Sequence, residues 1–219
     1  KKFSRKEYAH TQINRGSEKF HYCKVSYDHV KNWQKILIDS KITNIKSICC
    51  LGTRSGREID LFRIVFNDYI ISSLVKLTEI KRHGWKNIFN FLLNYKRSNL
   101  NKVSDQIDVH GVEINPMGKR IDTLIASFDE LPAEWEGKYD LIYSNSFDQS
   151  MDPEKTVKEW KRILKKNSII IFSFGYDDIP TETDPVGGLN FDEAYKLFGG
   201  EVIYYNKYGS HYSDLILRI

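Results

Sequence analysis

Gly52 and Gly56 stand four residues apart in SICCLGTRSGREIDLF (47–62), between an apolar run and a charged stretch with helical spacing. Two glycines in such a turn let a ligand approach the backbone, and a following helix points its positive N-terminus at the same place. Alone, the turn is a common strand-to-helix corner, and no Gly-Lys-Ser/Thr follows to make it a phosphate loop of the Walker kind. Glu113 ends a second run, DVHGVEIN (108–115), where a carboxylate can accept hydrogen bonds from ribose hydroxyls. It lies 57 positions after Gly56, against about 20 in a dinucleotide fingerprint. The excess matches a basic, aromatic segment at 67–104, read as an insertion between the first helix and the second strand of the domain. Asp148 follows a third run, YDLIYSNS (139–146), and would serve as a general base toward a hydroxyl, although acids in such loops commonly cap helices. Histidines at 10, 21, 29, 83, 110 and 211 form no ligand pair, and Cys23, Cys49 and Cys50 lack metal-binding spacing, so no metal centre is expected. Nothing in the pattern requires His10 or His21 to fold over the site.

The elements that must position these groups follow from periodicity. VKNWQKILID (30–39) spaces Val30, Trp33, Ile36 and Leu37 along one helical face, and Ile59, Phe62, Val65 and Phe66 do the same after the glycine turn. DTLIAS (122–127) reads as a short strand. DPEKTVKEWKRILKK (152–166) opens on Asp-Pro, a helix start, with Val157, Trp160, Ile163 and Leu164 on one side. SIIIFSFG (168–175) is apolar throughout, as strands buried on both faces are. NFDEAYKLFGG reads as a helix stopped by glycine, and the last 19 residues as two strands around Gly209–Ser210. Strands alternating with helices predict a doubly wound Rossmann-like α/β sheet of about seven strands, mostly parallel, with an antiparallel pair at its C-terminal edge. Residues 1–44 are expected to form a helical, basic cap, and 45–219 the main domain.

The 219 residues suit one core, and 41% hydrophobic with 28% charged residues excludes neither folding nor solubility. No apolar run approaches the roughly 20 residues of a membrane-spanning helix. Two adjacent cysteines in an apolar run read as small buried residues, which suits a reducing, cytoplasmic setting. The net charge of +4 is uneven: residues 1–19 hold six Lys/Arg against two acids, and 67–104 hold seven against two. Both are either solvated helix faces or surfaces for an anionic partner. For 67–104, with Trp85, Phe89 and Tyr95 among its lysines, the readings are a cap on the core, a wall of the substrate site, or a peripheral contact with a membrane or partner.

YDLIYSNSFDQSMDPEKTVKEWKRIL (139–164) resembles the fourth-strand block of the class I S-adenosylmethionine-dependent methyltransferases (type 11-like), and the resemblance extends over about 45–219. It implies S-adenosyl-L-methionine as cofactor, with Leu51, Gly52, Thr53, Arg54 and Gly56 cradling its methionine part. It implies further that Glu113 holds the ribose, that Ile114, Ser127 and Phe128 flank the adenine, and that Asn145 and Ser146 face cofactor and acceptor. The chain departs from the family at Cys50, where an acid is usual, at Arg54, usually glycine, and at Lys166-Asn167-Ser168, usually a glycine-rich turn. The expected activity is methyl transfer to a small-molecule or glycan acceptor, an anionic one included, and at oxygen, because SNSF is not the Pro-Pro-aromatic motif of amino-group methyltransferases. An RNA methyltransferase using the basic segments, or an inactive partner protein of this fold, are the alternatives; nucleic acid is the less favoured because no separate RNA-binding module is visible.

Overall fold

A computed structural model describes residues 5–20, 22–67, 107–175, 178–208 and 211–219. Apart from Asn67, the expected insertion at 67–104 lies outside the described residues, as do His21 and the Gly209–Ser210 turn. Two helices come first, α1 (Arg5–Glu18) and α2 (Tyr27–Asp39), and then β1 (Ser47–Leu51) and α3 (Arg57–Phe66). After these come β2 (Asp108–Glu113), β3 (Thr123–Ile125), β4 (Tyr139–Ser144) and α4 (Pro153–Ile163). The chain finishes with β5 (Leu164–Gly175), α5 (Phe191–Phe198), β6 (Glu201–Tyr208) and β7 (Tyr212–Arg218).

The described strands form one seven-stranded sheet in the order β3-β2-β1-β4-β5-β7-β6. Strands β1 to β5 are mutually parallel, while β7 runs antiparallel between β5 and β6. The expected doubly wound sheet with an antiparallel C-terminal pair is therefore the fold. Strand alternation divides the core in two. Ile48 and Cys50 point to the side of α2 and α3, with Trp33, Phe62 and Tyr143; Cys49 and Leu51 point to the side of α4 and α5, with Trp160, Phe172 and Phe198. Trp33 is 1% exposed and donates its indole N–H to Asp214 at 3.0 Å, which fastens α2 to the sheet. Local chemistry sets the helix starts: Ser26 and His29, and Asn190 and Glu193, form capping boxes before α2 and α5, and the Asp152 side chain caps α4 ahead of Pro153.

One boundary differs from expectation. The helix expected over 152–166 stops at Ile163, and β5 begins at Leu164, paired with Tyr139 across a register shift. Asn167 takes a left-handed φ of 60°, which replaces the glycine turn usual in the family, and Asn tolerates that region better than most residues. Lys165, Lys166 and Asn167 are exposed, so a polar run conceals the start of a strand that is apolar only from Ile169 on.

Candidate functional site

The C-terminal ends of β1, β2 and β4 meet at one edge of the sheet, where ligands bind in doubly wound folds. Gly52 follows β1, donates its N–H to Val112 at 2.8 Å, and sits at φ 79°. A Cβ there would lie 2.7 Å from the Cβ and Oγ of Ser146, so the bare glycine lets the β1 and β4 ends close on each other. Ser144 ties the same two ends by donating its hydroxyl to Leu51 O at 3.0 Å. Glu113, at the end of β2, is 5% exposed and accepts from the backbone N–H groups of Arg54 at 2.6 Å and Asn115 at 2.9 Å. Burial raises its carboxyl above the ordinary range, and those two N–H groups pull it back. Two donors leave lone pairs on a carboxylate that could accept further hydroxyls.

A cavity of about 490 Å³ opens over these ends. Gly52, Arg54, Glu113, Ile114, Ser127, Phe128, Asn145, Ser146 and Asp148 all line it. Three of the expected cradle residues do not. Leu51 is buried in the core, Thr53 is 1% exposed with a hydroxyl that finds no partner among the described residues, and Gly56 faces Arg120. The glycine at 56 answers a different need from the expected close approach of a ligand: its φ is 76° at the start of α3, and a Cβ would meet the Arg120 guanidinium at 2.8 Å. Arg120 is itself held by Asp60 and Asp122 at 2.7–3.0 Å.

Asp148 sits in the helical turn Phe147–Gln149. Phe147 anchors that turn among Trp160, Phe172 and Phe198, with ring centroids 5.1–5.4 Å away. The Oδ1 of Asp148 is buried and has no hydrogen-bond partner among the described residues. Burial, with Asp184 nearby, raises its carboxyl to about 6 against the pull of Lys24. Lys24 lies over the ring of Tyr212, and burial lowers its ammonium to about 8 while Asp148, Asp178 and Asp214 support the charge.

The roof of the cavity is α1, whose site residues the sequence reading did not name. Tyr8 donates its hydroxyl toward Gln149 O (2.6 Å) or Thr183 O (3.0 Å), Gln12 donates to Thr183 O, and Arg15 pairs with Asp184 at 2.7 Å. At the other end of the cavity, Asn115 donates to Ile13 O and Ser17 Oγ, both at 3.0 Å. His10 lies on the exposed face of α1, bonded to Asn14. Only the basic character of residues 1–19 hinted at a cap, and charge alone does not say which residues turn inward. Glu58, buried in the first turn of α3, also lines the cavity and was not foreseen. No cluster among the described residues could hold a metal ion, and no described helix is long and apolar enough to cross a membrane.

A family model described as "Methyltransferase domain" matches residues 92–172, a span that takes in β2 to β4, α4 and much of β5 but not the Gly52 turn. No curated protein sequence matches. Among solved structures, the Burkholderia thailandensis 1,6-didemethyltoxoflavin-N1-methyltransferase, with bound 1,6-didemethyltoxoflavin and S-adenosylhomocysteine, is similar with a TM-score of 0.61 at 12% identity over 100% of this chain and 91% of that one. The [4+2]-cyclase SpnF is similar at 0.56 and 10% identity, covering 97% and 93%. A putative methyltransferase in complex with the Haloferax volcanii Trm112 methyltransferase activator is similar at 0.52 and 13%, covering 99% of each chain. At these identities the likeness is one of fold.

Proposed function

We propose that the chain is an S-adenosylmethionine-dependent methyltransferase and that it methylates a hydroxyl of a small molecule enclosed beneath α1, a reading supported by the methyltransferase-domain match over 92–172 and by the shared fold. The cavity volume falls in the range of small-molecule sites. Its residues fit the cofactor: Glu113 keeps free lone pairs at a strand end, Ile114 and Phe128 offer apolar surface beside it, and Gly52 carries no side chain into the space. When bound, S-adenosylmethionine supplies an activated methyl group on a sulfonium.

The protein's task is then alignment and a proton. Glu113 holds the ribose, and Ile114, Ser127 and Phe128 hold the adenine. Arg54 and Gly52 border the methionine arm, with Leu51, Thr53 and Gly56 shaping the loop behind it. Asn145 and Ser146 orient both substrates. Asp148 takes the acceptor's proton. The observation that carries this reading is Asp148, a carboxylate that lines the cavity and whose buried Oδ1 has no hydrogen-bond partner among the described residues. The roof favours a small molecule over RNA, because a strand of phosphates needs an open track. Three unpaired cysteines fit a reducing, cytoplasmic setting.

Titration calorimetry with S-adenosylmethionine and S-adenosylhomocysteine tests the cofactor assignment. Glu113→Ala removes charge-assisted hydrogen bonds of roughly 1.5–3 kcal/mol each and should weaken both ligands at least tenfold. Equal affinity in the variant would refute it. A panel of hydroxylated small molecules and a short RNA, assayed for methyl uptake, then identifies the acceptor class.

A further inference from the structure

The cavity holds six carboxylates: Glu58, Glu113, Asp129, Glu130, Asp148 and Asp184. Most have a donor or a cation beside them. Glu113 accepts two backbone N–H groups, and Asp129 accepts the Thr156 hydroxyl. Glu130 pairs with Lys155, Asp184 with Arg15, and Asp148 feels Lys24. Glu58 differs. It is 4% exposed and makes no ion pair among the described residues; its carboxylate is met by its own backbone N–H and by the Cys23 thiol. A buried carboxylate that borders a cavity and has no ion pair of its own either holds a proton or is matched by a cation that enters the cavity.

Its place in the fold says what that counter-ion is. Glu58 is the second residue of α3, just beyond the glycine turn, and the charges that act on it are Arg54 of the turn and Glu113 across from it. With the ribose at Glu113 and the adenine toward Ile114 and Phe128, the amino-acid arm has to run toward Gly52 and Arg54, beside Glu58. Cys50, which stands where the resembled family usually carries an acid, is wholly buried in the apolar cluster under α2 and α3 and offers no charge. Glu58 lies near enough to raise the Cys50 thiol by repulsion.

We propose that Glu58 is the counter-ion of the α-ammonium on the cofactor's amino-acid arm, supplying from helix α3 the negative charge that Cys50 cannot. The inference rests on the cofactor reading above. Burial raises the Glu58 carboxyl to about 7, helped by Glu113 and opposed by Arg54, as expected of a buried acid with no direct ion pair.

Three ligands separate the possibilities in calorimetry on the full chain. S-adenosylmethionine carries ammonium and sulfonium, S-adenosylhomocysteine the ammonium only, and 5′-methylthioadenosine neither. Glu58→Gln, of the same size, should weaken the first two by at least about tenfold and leave the third unchanged. Loss confined to S-adenosylmethionine would mean a contact with the sulfonium and overturn the proposal. An equal loss for all three, or no loss, would also overturn it. Wild-type binding of 5′-methylthioadenosine but of neither larger ligand would sink the proposal while sparing the ribose site, and binding of none of the three would sink the cofactor reading itself. A second measurement needs no variant: S-adenosylhomocysteine lacking its α-amino group should bind the wild type at least about tenfold more weakly than the parent, and equal affinity refutes the ion pair.

Discussion

Asp148→Asn exchanges one carboxyl oxygen for an amide of the same size, and it should make the protein more stable while making it a poorer enzyme. Burial and Asp184 lift the Asp148 carboxyl from 3.8 to about 6, against the pull of Lys24. That displacement corresponds to roughly 3 kcal/mol of unfavourable ionisation at neutral pH, since each pH unit is worth about 1.4 kcal/mol. Water entering the cavity reduces the figure, and Lys24 loses an attractive neighbour in the variant, so a gain of about 1–2 kcal/mol is expected. The folded pKa lies above the unfolded one, so the folded protein holds its proton more tightly between about pH 4 and pH 6. The destabilisation is therefore complete above the folded pKa and disappears as pH falls through the unfolded one. Thermal melts should show the variant a few degrees more stable at pH 7.5 and no different near pH 4. Turnover should move the other way. Wild-type kcat/KM should fall about tenfold per pH unit below about 6, while the Asn variant loses about 10²–10⁴ of the rate and with it that acid limb. A variant that melts lower at neutral pH, or that keeps full turnover with the same acid limb, would refute the reasoning.

Gly52→Ala sets a Cβ 2.7 Å from Ser146 at a φ of 79°, and overpacking plus left-handed strain should cost about 3 kcal/mol in chemical denaturation. Ser146→Gly in the same chain should return the packing part but not the strain. At Arg54, φ is 47°, so Arg54→Gly should be about 1 kcal/mol more stable than Arg54→Ala, although both lose the guanidinium over Tyr22; equal denaturation midpoints would contradict this.

What could be read in the sequence was what local pattern controls. Short apolar runs mark β1, β2 and β4, Asp152-Pro153 marks the start of α4, and the ends of those strands carry the candidates that do line the cavity. The misses have physical causes. Arg54 and Asn167 occupy left-handed positions that a glycine count would overlook, because the backbone region matters there and the residue name only biases it. Lys165 is the second residue of a strand while looking like the end of a helix, and its ammonium reaches Asp140 at 2.8 Å on the exposed margin of the sheet. Gly56 was assigned to the ligand when its neighbour is Arg120, a side chain 64 positions further on. Glu58 looks in the sequence like any other charged residue of a helix, because only the fold shows which side of α3 turns into the cavity.

The roof helix has a consequence for the order in which the molecule comes into being. The hydrogen bonds and the ion pair that fasten Tyr8, Arg15 and Ser17 of α1 join them to residues 98 to 175 positions later in the chain, from Asn115 to Thr183 and Asp184. As the chain leaves the ribosome, α1 therefore emerges ahead of the sheet and waits, while the strand ends that form the floor assemble without it. Contacts of such long separation form late, since the entropy of closing the intervening chain has to be met before they contribute. The site begins as an open groove and becomes a chamber only once the segment after β5 has been made. Fastened by a few polar links at its two ends, that roof is also the part of the chamber that can reopen without unfolding the sheet beneath it.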